Sequence, residues 1–290
     1  MIINPITNYW QLNQKLIEKL ESIDIPLKKL LNNRINQKLQ NIFNDIETFC
    51  LFIGYPRSGH TLIGSLIDAH PNAVISHELD ALKFLKEGFT KNQIFKLILK
   101  NSSSFTKAGR RWGKYSYLVP NQWNGKFRTL KVIGDKKGGG SAKILFKNPS
   151  IIQDLDKTIN CKKIKYIHII RNPYDNITTI SKKHFNNDLK KAIDLYFYFC
   201  KANYYIKSQN ENIMDIKHES FIDDPKNCLK KICGFLDLDA PTDYLDDCSQ
   251  IVYKNPRKRR FEINWSSENK EIVKKKINEF DYLQGYSFSG

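Results

Sequence analysis

The stretch Phe49-Cys50-Leu51-Phe52-Ile53-Gly54-Tyr55-Pro56-Arg57-Ser58-Gly59-His60-Thr61-Leu62-Ile63-Gly64-Ser65-Leu66-Ile67 decides how the rest of the chain is read. Its first five residues form an unbroken apolar run of strand length, which predicts a buried strand. From Thr61 the apolar residues fall at helical spacing, so a helix is expected to begin there. Residues 54–60 are then a strand-to-helix loop, a turn that aims backbone N–H groups and the positive helix end at an anion. Against the nucleotide-binding pattern GxxxxGK[ST], both glycines and Thr61 are in place, but His60 occupies the lysine position. The fixed cation has moved to Arg57, whose planar fork suits an oxyanion. This is a deviant phosphate loop, and the missing lysine argues against ATP hydrolysis; a tight structural turn is the plainer use of the two glycines.

Working outward, further apolar bursts occupy residues 73–76, 130–133, 164–170 and 213–216, with helical patterns between most of them. Strands alternating with helices predict an α/β fold, a P-loop-like doubly wound sheet of mainly parallel strands flanked by helices, with ligands at the carboxyl ends of the strands. Leu12, Leu16, Leu20, Leu27, Leu30, Leu31, Ile35, Leu39 and Phe43 recur mostly at spacings of three to four, broken by Pro26. They predict an N-terminal helical appendage over residues 1–47, leaving 48–290 as the main domain. Residues 83–128, with Trp112, Tyr115, Tyr117 and Trp123, read either as an insertion that caps the active site or as a surface helix pair.

Composition bounds the partners. Of 290 residues, 41% are hydrophobic and 12% aromatic, which excludes a disordered chain, while 14 Gly and 10 Pro exclude collagen-like architecture. Lys and Arg number 47 against 30 Asp and Glu, a net charge of +17, so a polyanionic partner is expected: phosphate, sulfate, acidic glycan, nucleic acid or an anionic membrane face. The six cysteines include no CxxC pair and lie largely among apolar neighbours, as reduced packing residues do. No His, Cys and carboxylate cluster has metal-ligand spacing, so no metal is expected. Residues 1–18 lack the apolar core of a signal peptide and no run of eighteen apolar residues occurs, so a cytoplasmic protein without a membrane span is predicted.

Three further stretches fall at the ligand edge of such a sheet. The strand ending Ile169-Ile170 runs into Arg171-Asn172-Pro173-Tyr174-Asp175-Asn176-Ile177-Thr178-Thr179, placing Arg171 at a carboxyl end before a turn; a surface arginine paired with Asp175 is the alternative. Gly134-Asp135-Lys136-Lys137-Gly138-Gly139-Gly140 closes the third strand, its glycines suggesting a flexible substrate loop or a plain turn. His77 and Glu78 follow the short strand at 73–76.

These residues carry a family resemblance. Tyr55-Pro56-Arg57-Ser58-Gly59-His60-Thr61, with Leu66-Ile67-Asp68-Ala69-His70-Pro71-Asn72 and Glu78, resembles the phosphosulfate loop of sulfotransferases that use 3′-phosphoadenosine 5′-phosphosulfate (PAPS). It is most similar to the tyrosylprotein and heparan-type branch and to bacterial small sulfotransferases. The resemblance covers about residues 48 to 288. It implies that Arg57 contacts the phosphosulfate and that amides of Ser58, Gly59, His60 and Thr61 hold the 5′-phosphate; His60 departs from the commoner Thr. The Arg171 stretch resembles the 3′-phosphate motif, an arginine with a hydroxyl residue eight positions later, here Thr179 where the family usually has Ser, with Ser181 as a fallback. Tyr253-Lys254-Asn255-Pro256-Arg257-Lys258-Arg259-Arg260 resembles the family's basic loop to the 3′-phosphate and adenine, with Arg257 and Lys258 as contacts and Arg259 and Arg260 as plausible general polyanion patch. The segment from Ile216 through His218, Glu219 and Pro225 resembles the strand-turn-helix that follows, implying scaffolding.

For the chemistry, the resemblance implies that Lys136, with Lys137 second, steadies the leaving oxygen. Glu78, twenty-one residues past Arg57, matches the base of the tyrosylprotein branch. His77 is its rival, since cytosolic members use histidine, and Glu78 could instead cap the next helix or pair with Arg57. The implied reaction is in-line transfer of a sulfuryl group from PAPS to a hydroxyl, amine or carbamoyl nitrogen of a small molecule such as a natural product, releasing 3′-phosphoadenosine 5′-phosphate (PAP). Two other readings remain: a P-loop nucleotide kinase, which needs a loop lysine and metal ligands, and a non-enzymatic polyanion binder, although no nucleic-acid module is recognisable.

Overall fold

The computed structural model describes residues 37–290. Most of the expected N-terminal appendage therefore lies outside the described residues. Its last part is helix α1 (Gln37–Asn44), whose Phe43 is fully buried edge-on against Phe95 at 5.5 Å. Strand β1 (Thr48–Gly54) follows, buried along its whole length. Pleating sends Phe49, Leu51 and Ile53 into one apolar cluster and Cys50 and Phe52 into another, so this strand divides the core into two layers. Helix α2 (His60–Asp68) leaves the loop, and β2 (Ala73–His77) returns to the sheet.

Segment 83–128 is divided between scaffold and surface. Helices α3 (Ala81–Lys86) and α4 (Lys91–Lys107) come first, the latter opened by a Thr90–Gln93 capping box. α4 buries Phe95, Ile98 and Phe105 and packs along β2, so it belongs to the core. A short hairpin, β3 (Arg111–Trp112) with β4 (Tyr115–Ser116), then leads out to solvent. Strand β5 (Val132–Gly138), helices α5 (Gly139–Lys147) and α6 (Ser150–Ile159), strand β6 (Lys163–Ile170) and helices α7 (Pro173–His184) and α8 (Leu189–Gln209) complete the central part. Strand β7 (Ile213–Lys217) is followed by α9 (His218–Asp223), α10 (Pro225–Phe235), α11 (Thr242–Gln250) and α12 (Ser267–Ile277).

The five main strands lie in the order β2-β5-β1-β6-β7, every neighbouring pair parallel. This is the doubly wound α/β sheet expected from the sequence. The chain crosses from β5 on one side of β1 to β6 on the other, so the loops after β1 and β6 diverge over a crevice, the usual ligand position in such sheets.

Two local expectations need correction. The third strand was expected at residues 130–133, but β5 runs from Val132 to Gly138 and carries Asp135 and Lys136 in its buried interior. Polar residues resemble a strand end, yet here Asp135 and Lys136 stay in register with β2, while the register with β1 shifts after Asp135, and each has a side-chain partner. The three glycines do not form a flexible loop: Gly138 has a left-handed φ of 59° and α5 starts at Gly139. A Cβ at Gly138 would lie 2.9 Å from the His60 ring, so glycine is what lets this strand end approach the loop after β1.

Candidate active site

The loop after β1 is held from below. Tyr55 is fully buried, stacks on Tyr196 at 4.6 Å and has its hydroxyl 3.3 Å from His168 Nε2. Ser58 Oγ donates to the Tyr55 carbonyl at 2.9 Å. His60 turns its ring inward. Its Nε2 lies 3.0 Å from the Ile53 carbonyl, which must accept, and Nδ1 faces the Ser58 hydroxyl at 3.1 Å. Burial lowers its pKa to about 4, so the ring is a neutral brace rather than a cation at the lysine position. Gly59, with φ 99°, precedes α2 without a side-chain cap, and the first turn of α2 has no acidic residue. The amides of this turn therefore keep their partial positive charge. Arg57 stands exposed above them, its backbone held at φ 70°.

Beside this loop lies a compact charged group. Lys136 Nζ, buried within β5, donates to Glu78 Oε1 at 2.6 Å and to Thr61 Oγ1 at 3.2 Å. Lys137 Nζ lies 3.5 Å from the other oxygen, Glu78 Oε2. Burial alone would raise the Glu78 pKa, but the two ammonium groups outweigh it and hold the carboxyl below its ordinary value. Lys136 is pulled down by burial, against the opposing pull of Glu78. The partner of Glu78 is thus Lys136, not Arg57. His77 is set differently: its ring stacks on Phe105 at 4.0 Å and meets Trp112 edge-on at 4.7 Å. Burial holds it well below the usual histidine range, so it is neutral.

Across the crevice, Arg171 is buried at the end of β6. Its Nη1 donates to the Arg57 carbonyl at 3.4 Å and its Nη2 to the Arg257 carbonyl at 2.6 Å, tying the first loop to the basic loop. Asp175 is not its partner; that carboxylate takes the Arg260 amide at 2.8 Å and the Arg260 guanidinium at 2.7 Å. Thr179 Oγ1 donates to the Asp175 carbonyl at 2.8 Å, while the buried Ser181 turns back onto Thr178. Arg257 and Lys258 are exposed, with the Arg257 guanidinium 5.4 Å from the ring centroid of Tyr115 on the β3–β4 hairpin. Arg259 pairs with Glu262 at 2.6 Å, so the run 257–260 splits into two exposed and two engaged cations.

A sequence model of the sulfotransferase family matches residues 51–242, well over half of the chain. The chain belongs to the sulfotransferase family. In fold it is similar to the sulfotransferase domain from the curacin biosynthetic pathway, with 14% identity over 81% of this chain and 99% of that chain at a TM-score of 0.48. It is also similar to the sulfotransferase domain of the Synechococcus PCC 7002 olefin synthase, at 16% identity, 77% and 82% coverage and a TM-score of 0.44. A mouse sulfotransferase complexed with PAP gives 13% identity, 84% and 89% coverage and a TM-score of 0.44. No curated protein sequence matches.

In this sulfotransferase several residues at the crevice carry little sequence signal. His218, the first residue after β7, lies directly on the first loop: a Cβ at Gly59 would sit 2.4 Å from its ring. Its Nε2 is 3.0 Å from the Tyr253 hydroxyl, and burial lowers its pKa to about 3. Glu219 accepts from the Asn172 amide and the Tyr286 hydroxyl, both at 2.9 Å, so it braces the turn after β6. In sequence this segment reads only as a strand-turn-helix of scaffolding kind, without the contacts of its individual residues. Among the described residues, no group of three or more His, Cys, Asp or Glu is placed to hold a metal ion, and no helix is long and apolar enough to cross a membrane. All six cysteines are free thiols.

Proposed function

We propose that this sulfotransferase moves a sulfuryl group from PAPS to a hydroxyl of a small molecule such as a natural product, with amine or carbamoyl nitrogens as further acceptors. The observation that carries the reading is the Glu78–Lys136–Thr61 group beside the uncapped start of α2. It puts a carboxylate held as the anion, a buried cation and a set of free amides at one strand edge.

In this reading Arg57 and the amides of Ser58, Gly59, His60 and Thr61 bind the phosphosulfate. Arg171, Thr179, Arg257 and Lys258 take the 3′-phosphate. The acceptor oxygen attacks sulfur as the bond from sulfur to the phosphate oxygen breaks, and PAP leaves with that electron pair. Lys136 neutralises the charge gathering on the leaving oxygen, while Glu78 removes the acceptor proton. His77, neutral and packed between Phe105 and Trp112, is left to support the wall. Residues 48–290 form the catalytic domain, with α1 packed into its core through Phe43, and the hairpin part of 83–128 is a cap whose Tyr115 reaches the basic loop.

The test is incubation of the protein with labelled PAPS and a metabolite extract, followed by mass spectrometry for a product heavier by SO₃. Calorimetry with PAP provides the binding arm. A protein that neither transfers the label nor binds PAP is not the enzyme proposed.

A further inference from the structure

Between β2 and α3 the backbone takes an uncommon course. Glu78 and Asp80 are both in the left-handed region, at φ 57° and 68°. Such a conformation is strained at a non-glycine residue and persists only where its surroundings impose it. What imposes it is visible in β5. The Glu78 amide donates to the Lys136 carbonyl at 3.1 Å. The Asp135 carboxylate, fully buried, accepts from the Leu79 amide at 3.2 Å on Oδ1 and from the Ala81 amide at 2.9 Å on Oδ2. Ser76 Oγ adds a third donor at 2.7 Å. Three donors on one buried carboxylate satisfy its lone pairs inside the core. By accepting from Ala81, Asp135 also serves as the N-terminal cap of α3, a role that Asp80 does not fill with its own side chain.

Neighbouring residues of one strand therefore hold Glu78 from two directions. Lys136 takes its carboxylate, and Asp135 takes the backbone on its far side. We propose that Asp135 is a positioning residue of the transfer reaction, fixing the strained 78–80 turn so that the Glu78 carboxylate stands between Lys136 and Lys137. The inference rests on Glu78 as the base, but its geometry is independent of any acceptor.

The test uses Asp135→Asn, which preserves shape while presenting an NH₂ group to one of the donors. Ser76→Ala, which leaves both amide contacts, is the control. The primary readout is the Glu78 carboxyl titration, followed by NMR in protein with ¹³C-labelled glutamate side chains and assigned by the signal lost in Glu78→Gln. In the wild type and Ser76→Ala this carboxyl titrates below the ordinary glutamate value of about 4.3. Asp135 and Asp80 repel the Glu78 carboxylate while Lys136 and Lys137 attract it, so loss of the Asp135 charge by itself would lower the Glu78 pKa. In Asp135→Asn the release of Glu78 from the two lysines outweighs that, and its titration moves up toward the ordinary value. PAP affinity stays unchanged, because neither Arg57 nor Arg171 is touched. With PAPS as donor, kcat falls about 100-fold, the usual cost of displacing a catalytic group by roughly 1 Å, while KM for PAPS is held. A carboxylate base must be ionised, so the acid limb of the rate profile shifts to higher pH as its pKa rises. If the carboxamide prevents folding, Asp135→Glu keeps the charge but displaces both oxygens and gives the same shift at smaller size. Because Asp135→Glu keeps the charge and changes only the geometry, a folded Asp135→Glu variant with Glu78 titrating as in the wild type overturns the positioning role. Unchanged turnover in Glu78→Gln overturns the base instead, leaving the titration result in force.

Discussion

The loops after β1 and β6 each offer an arginine to the same crevice, and the two are built in opposite ways. Arg57 is exposed, backbone-strained and without a partner for its side chain among the described residues. Arg171 is buried, with nitrogens on the carbonyls of Arg57 and Arg257, and the turn that follows it is braced by Glu219 and the Asp175–Arg260 pair. The first loop leaves the Arg57 guanidinium and the amides at the start of α2 without side-chain partners among the described residues, although Ser58 and His60 are bonded inward. In the second, Arg171 and the turn that follows it are already engaged. The lesson is that two anion-facing arginines can be told apart by which of their groups the fold has left unsatisfied.

The contrast can be broken at several points. Glu78→Gln, on the side of the free loop, is expected to lower kcat by about 10²–10⁴, the range for general base catalysis, with PAP binding by calorimetry unchanged; near-normal turnover removes Glu78 from the role. On the braced side, Arg260→Met takes from Asp175 its hydrogen-bonded cation and leaves the unbonded Arg171 as counter-charge, so it should cost about 3 kcal/mol in denaturant unfolding, the lower end for a broken buried pair. Arg259→Ala, losing only a partly exposed pair with Glu262, should cost within about 1 kcal/mol. Equal losses at 259 and 260 would erase the distinction between engaged and surface cations. Arg57→Ala should weaken the binding of PAPS by roughly 10- to 100-fold, equivalent to about 1.5–3 kcal/mol for a charged hydrogen bond, without shifting the unfolding midpoint. A fall in stability at Arg57 as large as that at Arg260 would contradict its freedom. The smallest effect is none at all: EDTA should leave turnover unchanged, and a chelator-sensitive rate would require a metal in the mechanism.

Much of this was legible before the fold was known, for reasons that particular residues show. β1 announced itself because it is buried on both faces and so reads as a continuous apolar run. The loop from Gly54 to Thr61 was legible because glycine spacing encodes backbone shape directly. The second half of β5 is hidden from a sequence pattern because its buried positions there are Asp135 and Lys136, polar residues whose partners come from Ser76, Glu78, Leu79 and Ala81, distant in sequence. A single-residue pattern cannot register a hydrogen bond fifty or more positions away. His218 was hidden for the same reason, since its nearness to Gly59 depends on β7 and β1 lying in one sheet. The basic run at 257–260 looked uniform, and only Asp175 and Glu262 separate its members.

The contact of Tyr115 with Arg257 joins a hairpin from the middle of the chain to the basic loop near its end. Both side chains face water, where a cation resting on an aromatic ring is worth about 0.5–1 kcal/mol. That is close to thermal energy, so this contact alone holds the two arms weakly. The Tyr115 ring also lies 6.5 Å from that of Tyr253, so hairpin and basic loop meet through two shallow surface contacts, whereas the carboxylates of Asp135 and Asp175 are tied into the buried framework.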